Sequence, residues 1–239
     1  MIEFIAETGS TNADLATRLS ARERVGEGDW LVADRQTAGR GRQGRAWFDG
    51  SGNFMGSTVV LLGPNDPPPP TLALMAGLAL YEAVTPMVQG RAGLSLKWPN
   101  DLLLDNAKLA GILLERVEDA VIVGIGVNLA KAPELPDRET VALSALGPAP
   151  VRDTFAHALA ASFATELSRW RDFGIDPLLR RWQAVAHIEG TPLTVHEPDG
   201  AIVEGSYAGL ASDGSLRLRL VDGSLRAIHA GDVMLATRN

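Results

Sequence analysis

From Thr71 to Val84 the chain reads TLALMAGLALYEAV, a run whose only charge is Glu82. A helix that is apolar all round cannot lie on a wet surface; it has to be covered, and in a chain rich in strand-like runs the cover is a sheet face. The run is too short for a membrane span, and Pro86 should end or kink it. Strand patterns surround it: Ile2 to Ile5, WLVADRQ from Trp30, NFMGSTVVLL from Asn53, Leu94 to Trp98, Leu102 to Leu104, Lys108 to Val117 and AVIVGIGVNLA from Ala120. Helical patterns cover about Val151 to Phe173, with Phe155, Leu159, Phe163, Leu167 and Trp170 on one stripe, and about Pro177 to Val185. The sequence therefore predicts an α+β fold, a mixed sheet packed with helices.

After Gly190 the pattern changes. Apolar and polar residues alternate, punctuated by Asp199-Gly200, Asp213-Gly214 and Asp222-Gly223, the turn chemistry of hairpins. About five short strands are enough to close a small barrel. The expected division is 1–188 for the larger unit and 189–239 for a small β-barrel.

The 239 residues carry no cysteine, which excludes disulfides, thiolate zinc sites and cysteine nucleophiles. A net charge of -7 argues against general nucleic-acid binding. Met1 is followed within two residues by Glu3, without the basic and apolar regions of a leader, so a cytoplasmic protein is expected. His157 and His187 have no partners at metal-ligand spacing.

Against this acidic background, DRQTAGRGRQGRAW from Asp34 to Trp47 gathers Arg35, Arg40, Arg42 and Arg45 around Gly39, Gly41 and Gly44. Glycine lets backbone approach a ligand closely, and arginine adds forked permanent donors, so the loop reads as an anion trap; a solvated basic loop is the alternative. Ser10, Thr11 and Asn12, after Gly9, offer a helix cap or a hydrogen-bonding corner for a neutral ligand, and Leu15 and Leu19 form that helix's buried stripe. Further on, Pro99-Asn100-Asp101 reads as a turn and Asp105-Asn106 as a tight hairpin turn. On the return strand, period two places Lys108, Ala110, Ile112 and Leu114 on one face. A lysine there either meets an anion or guards a strand edge. Gly124 and Gly126 bare one face of the next strand, as a bulge or a close approach requires; Asn128 then ends it, as a turn residue or as a holder of a ligand or adjoining loop. From Lys131 to Pro150 a mobile segment with a short helix at Thr140 to Leu146 is expected.

Five motifs, ETGSTN from Glu7, GRGRQGRAW from Gly39, KWPNDLLL from Lys97, KLAGILLE from Lys108 and GIGVNL from Gly124, occur in this order ahead of the small β-rich tail. Together they resemble the biotin protein ligases, across essentially the whole chain. The resemblance implies a ligase-type catalytic domain with a C-terminal SH3-like barrel, and two half-reactions: ATP converts biotin to biotinyl adenylate, and a lysine of a carboxylase's biotin carrier domain displaces AMP. It further implies Arg42 and Lys108 beside the carboxylate and α-phosphate, with Arg40 closing the loop. Ser10, Thr11, Asn12, Gln36, Gly39, Gly41 and Gly111 belong with biotin. Arg45, Trp47, Asn100 and Asn128 belong with the nucleotide, Trp47 facing adenine. Gly111 and Gly124 leave room for the ligands. Asp101 is assigned to the second half-reaction, orienting the acceptor amine and receiving its proton; a plain turn carboxylate is its alternative. Magnesium is expected with ATP, without an assignable protein ligand. Some relatives carry an N-terminal winged helix that binds DNA; here the motifs begin at Glu7, so no DNA binding is expected. Oligomeric state stays open, a homodimer being one option.

Two other readings fit parts of this pattern. A lipoate ligase or octanoyl transferase resembles this family in fold, without the GRGRQGRAW and KWPND pair. A non-catalytic RNA-binding module would interleave aromatic and basic residues on the barrel strands, where the tail offers Tyr207 alone.

Overall fold

The computed structural model describes residues 1–88 and 93–235; the last four positions of the expected tail, 236–239, lie outside the described residues. Strands β1 (Ile2–Thr8), β2 (Trp30–Gln36), β3 (Phe54–Leu61), β4 (Leu94–Lys97), β5 (Asp101–Leu104), β6 (Ala107–Val117) and β7 (Ala120–Val127) form a seven-stranded sheet in the order β1-β2-β3-β7-β6-β5-β4. β1 and β2 run parallel, which a crossover must connect. Helix α1 (Thr11–Ser20) supplies it.

The sheet is covered on both faces, and strand parity decides which residue goes where. Helix α2 (Leu72–Val84) is the apolar helix expected from its sequence; it ends ahead of Pro86 and packs, with α3 (Arg152–Phe173) and α4 (Ile175–Ala184), on the main core. Trp30, Val32, Val123 and Ile125 point to that side, where Trp30 meets Phe163 edge-on with centroids 5.4 Å apart. Leu31, Val59 and Ile122 point the other way, under Leu15 of α1, with Leu19 packed at the rim. The same alternation carries Gly124 and Gly126 to the α1 side, where a bare floor replaces a packed core.

The turn at Asp105-Asn106 uses positive φ at both residues (51° and 66°), as a two-residue hairpin demands. Beyond it the expected strict alternation fails. Leu103 pairs with Lys108 but Leu102 with Ala110, so Leu109 is an extra, bulged residue. A bulge shifts the side-chain phase by one. Leu109, Ala110 and Ile112 go to the core, whereas Lys108 shares the face of Gly111. Asp101 is likewise a strand residue, paired with Lys97 and Gly111, rather than part of a turn.

The tail forms five strands, β8 (Pro192–His196), β9 (Ile202–Leu210), β10 (Leu216–Arg219), β11 (Leu225–Ile228) and β12 (Asp232–Leu235), in the antiparallel order β11-β10-β9-β8-β12. Its three Asp-Gly turns repeat one device. Asp199, Asp213 and Asp222 each accept from the backbone N–H two residues on, at 3.0, 2.9 and 2.9 Å. Trp98 ties the two sheets together by donating Nε1–H to the Gly214 carbonyl at 3.0 Å.

Candidate active site

The site lies on the α1 side of the large sheet, over Gly111, Gly124 and Gly126. A cavity of about 540 Å³ opens there, and every expected site residue except Gly39 lines it. Gly39 sits behind the wall, where an added Cβ would stand 3.2 Å from Gln36 Nε2 and 3.3 Å from the Trp47 carbonyl.

One end is a neutral hydrogen-bonding corner. Although Ser10 occupies the N-cap position of α1, its side chain makes no capping bond. Thr11 and Asn12 instead face the sheet. The Thr11 N–H donates to Gln36 Oε1 at 2.8 Å, and the Thr11 and Ser57 hydroxyls lie 2.6 Å apart. Ser57 donates to Asn12 Oδ1 at 2.5 Å, and Asn12 Nδ2 donates to Glu115 at 2.6 Å. The other Glu115 oxygen meets Arg40 at 3.5 Å. Asn12 sits so close to β7 because position 124 is glycine: a Cβ there would stand 2.3 Å from Asn12 Oδ1.

The other end is cationic. Asp101 is buried with Lys108 on one oxygen at 2.7 Å and Lys97 on the other at 3.1 Å. Burial alone would raise the Asp101 pKa, but the two lysines outweigh it and hold the carboxyl well below its usual range. Burial pushes the Lys108 ammonium down, against the pull of Asp101. Lys108 is fixed through its backbone as well, its N–H donating to the Glu139 carbonyl at 2.9 Å and its carbonyl accepting from Val141 at 3.0 Å. The segment expected to be mobile is therefore tied to β6. The helix expected at Thr140 to Leu146 is a single 3-10 turn, Leu143–Ala145.

The arginine loop folds back on itself, Trp47 N–H donating to the Gly39 carbonyl and Gly41 N–H to the Arg45 carbonyl. Arg40, Arg42 and Arg45 face the cavity; Arg35 does not, since it turns to Glu7 and Asp49 on the exposed side. Arg42 donates to Asn100 Oδ1 at 3.0 Å and to the Gly231 carbonyl at 3.2 Å. Arg45 pairs with Asp232, and burial lowers the pKa of both arginines. Asp232 opens β12 of the small sheet and Gly231 immediately precedes it, so the tail reaches the site through the start of β12. Lys97 joins this contact by donating to the Val233 carbonyl at 3.0 Å.

Trp47 packs against β7, where a Cβ on Gly126 would stand 2.2 Å from its ring. Its indole Nε1 is buried without a partner among the described residues, as is Asn128 Oδ1. Asn128 takes its loop-holding option, donating Nδ2–H to the Val141 carbonyl at 3.2 Å. Ser57, Glu115, Lys97, Arg138 and Asp232 escaped the residue-level reading. Glu115 and Lys97 sit inside two of the five motifs, and that membership is the one sequence signal they carry; Asp232 has none.

Residues 8–129 match the Biotin/lipoate A/B protein ligase family and residues 191–235 the Biotin protein ligase C terminal domain. A biotin--[acetyl-CoA-carboxylase] ligase of Mycobacterium tuberculosis is 35% identical, over 98% of this chain and 88% of its own length. The corresponding ligase of Paracoccus denitrificans is 37% identical over 90% and 93%. The biotin protein ligase from Aquifex aeolicus in complex with biotin and ATP has a TM-score of 0.85 to this chain, with 26% identity and 99% of both chains covered. With both of its parts matched in order and relatives aligned along nearly their whole length, the chain belongs to the biotin protein ligases.

Proposed function

We propose that this chain joins biotin to ATP as biotinyl adenylate and then transfers the biotinyl group to a lysine of a carboxylase's biotin carrier domain. The observation that carries the reading is one cavity with two unlike ends: a neutral corner of hydroxyl and amide groups, and a cationic end built from Lys108 and the arginine loop, with Lys97 behind it on Asp101. A ureido ring is neutral and needs donors and acceptors together, which Ser10, Thr11, Asn12 and Gln36 offer. A carboxylate meeting a triphosphate brings like charges together, and fixed cations offset that cost.

In the first step a biotin carboxylate oxygen attacks the α-phosphorus, the bond to the bridging oxygen breaks, and pyrophosphate leaves. Lys108, Arg42 and Arg45 sit where negative charge accumulates, and Arg40 and Trp47 shield the anhydride from water. In the second step the acceptor amine attacks the acyl carbon, the acyl–oxygen bond breaks, AMP leaves and the nitrogen loses a proton. Held by two lysines, Asp101 is a weak base. Its part is to anchor Lys108 and to orient the amine, and it accepts a proton only once phosphate has drawn the lysines away. No group of three or more histidines or carboxylates suited to a metal forms among the described residues; magnesium is expected to arrive as the ATP complex, on phosphate oxygens.

We assign residues 1–188 to catalysis, with the small sheet from 189 onward as a second unit closing the site through Asp232. Among the described residues the two sheets share no strand, which supports the division. No described helix is long and apolar enough to cross a membrane, and the demand for ATP fits a cytoplasmic reaction. The test is biotin-dependent exchange of labelled pyrophosphate into ATP. Exchange should require biotin and collapse in Lys108→Ala; exchange with lipoate instead, or none with either acid, overturns the reading.

A further inference from the structure

The cavity has a wall that the five motifs do not contribute, the stretch after β7 carrying Asp137 and Arg138. Its placement is fixed from both sides of Lys108 by the backbone bonds to Glu139 and Val141 and by Asn128. Arg138 stands one residue from that anchor, with its side chain only 17% exposed.

Among the described residues its single ion pair is with the adjacent residue, Asp137, which is 51% exposed and grips the Arg138 Nε and one terminal nitrogen. A pair between neighbours in sequence ties no two elements together. It leaves unexplained why the guanidinium turns into a cavity where Arg40, Arg42, Arg45 and Lys108 already outnumber the carboxylates of Asp101, Asp137 and Asp232. Arg138 is near enough to act on both Arg45 and Lys108: the Arg45 pKa is lowered by burial first and Arg138 second, and that of Lys108 by burial first, with Lys97 and Arg138 adding. Gathering cations in a partly buried cleft costs free energy that a polyanion recovers on entering.

We infer that Arg138 is a phosphate-binding residue of this site, taking the β- and γ-phosphates of ATP, and the pyrophosphate they become, from the wall next to Lys108. The assignment rests on the ATP-dependent reading above and extends it to a residue outside the motifs. Asp137 holds the guanidinium until the phosphates replace it, since both are oxygen acceptors for the same fork.

The test is calorimetric titration of the full chain with inorganic pyrophosphate and, separately, with biotin, alongside the Michaelis constant for ATP in the exchange reaction. Losing one charge-assisted contact, Arg138→Ala should weaken pyrophosphate binding and raise the Michaelis constant for ATP by about tenfold or more. Biotin affinity should not move, which also shows that the variant is folded. Arg138→Lys should recover part of the loss, because it keeps the charge without the fork. Asp137→Asn, which removes the competing carboxylate, should tighten pyrophosphate. The inference is overturned if Arg138→Ala keeps pyrophosphate affinity within about twofold, if biotin affinity falls in parallel, or if the parent protein binds no pyrophosphate. Arg138-dependent pyrophosphate binding without biotin-dependent exchange would instead sink the ligase reading and leave this assignment standing.

Discussion

Replacing Asp101 by asparagine keeps the shape of the side chain and removes the charge on which two partly buried lysines depend. Asp101 is 7% exposed, Lys97 12% and Lys108 17%, with contacts of 3.1 and 2.7 Å. At an effective dielectric near 20 the two attractions are about 5 and 6 kcal/mol, and the desolvation of each ion, several kcal/mol, is set against them. Removing one partner leaves that desolvation uncompensated, so Asp101→Asn should lose about 3–5 kcal/mol of stability at pH 7. The sign of the pH dependence follows from the shifts. Asp101 is held below its ordinary value, so its contribution is present above the unfolded pKa of about 3.9 and fades as pH falls below it. Lys108 is also held below its ordinary value, so its charge opposes folding until it deprotonates. The deficit of the variant should therefore shrink as pH rises toward about 10. Urea denaturation of parent and variant at pH 7 and 9.5, followed by circular dichroism, measures both effects. In a Lys97→Met, Lys108→Met background Asp101 is itself the unpaired charge, so Asp101→Asn should there be neutral or stabilising. A loss under about 1 kcal/mol in the parent, or the same loss in both backgrounds, would refute the ion-cluster argument.

Two further substitutions test how the cavity is built. Gly126→Ala places a Cβ inside the Trp47 ring, so the indole must leave the floor, with a red-shifted emission and weaker nucleotide binding. In a Trp47→Ala background the same change should alter nucleotide binding by less than about 0.5 kcal/mol, and equal effects in both backgrounds would exclude the contact. Asp232→Ala frees Arg45 and loosens Arg42. The pairs are partly exposed, so stability should change by less than about 1 kcal/mol, while trypsin should cut between Arg42 and Arg45 faster. An unchanged cleavage rate would show that the small sheet does not steady the loop.

The sequence by itself determined the elements and the chemical inventory. The apolar helix, the Asp-Gly turns, the bare glycine strand and the arginine loop are local patterns, and local patterns state what a segment must become because each rests on neighbours a few residues away. They also stated which residue types a carboxylate-activating site needs, and where in the chain they occur. Tertiary structure decided which of those residues meet. Arg35 and Arg40 read alike in sequence, but one faces Glu7 and Asp49 on the surface and the other faces the cavity. A single bulged residue, Leu109, turned Lys108 away from the core and toward Asp101. Asn12 finds Glu115 across 103 residues, and Lys97 finds Val233 across 136. Such contacts follow from strand order and register, which the whole sheet sets by burying its two faces at once. No window along the chain contains that information.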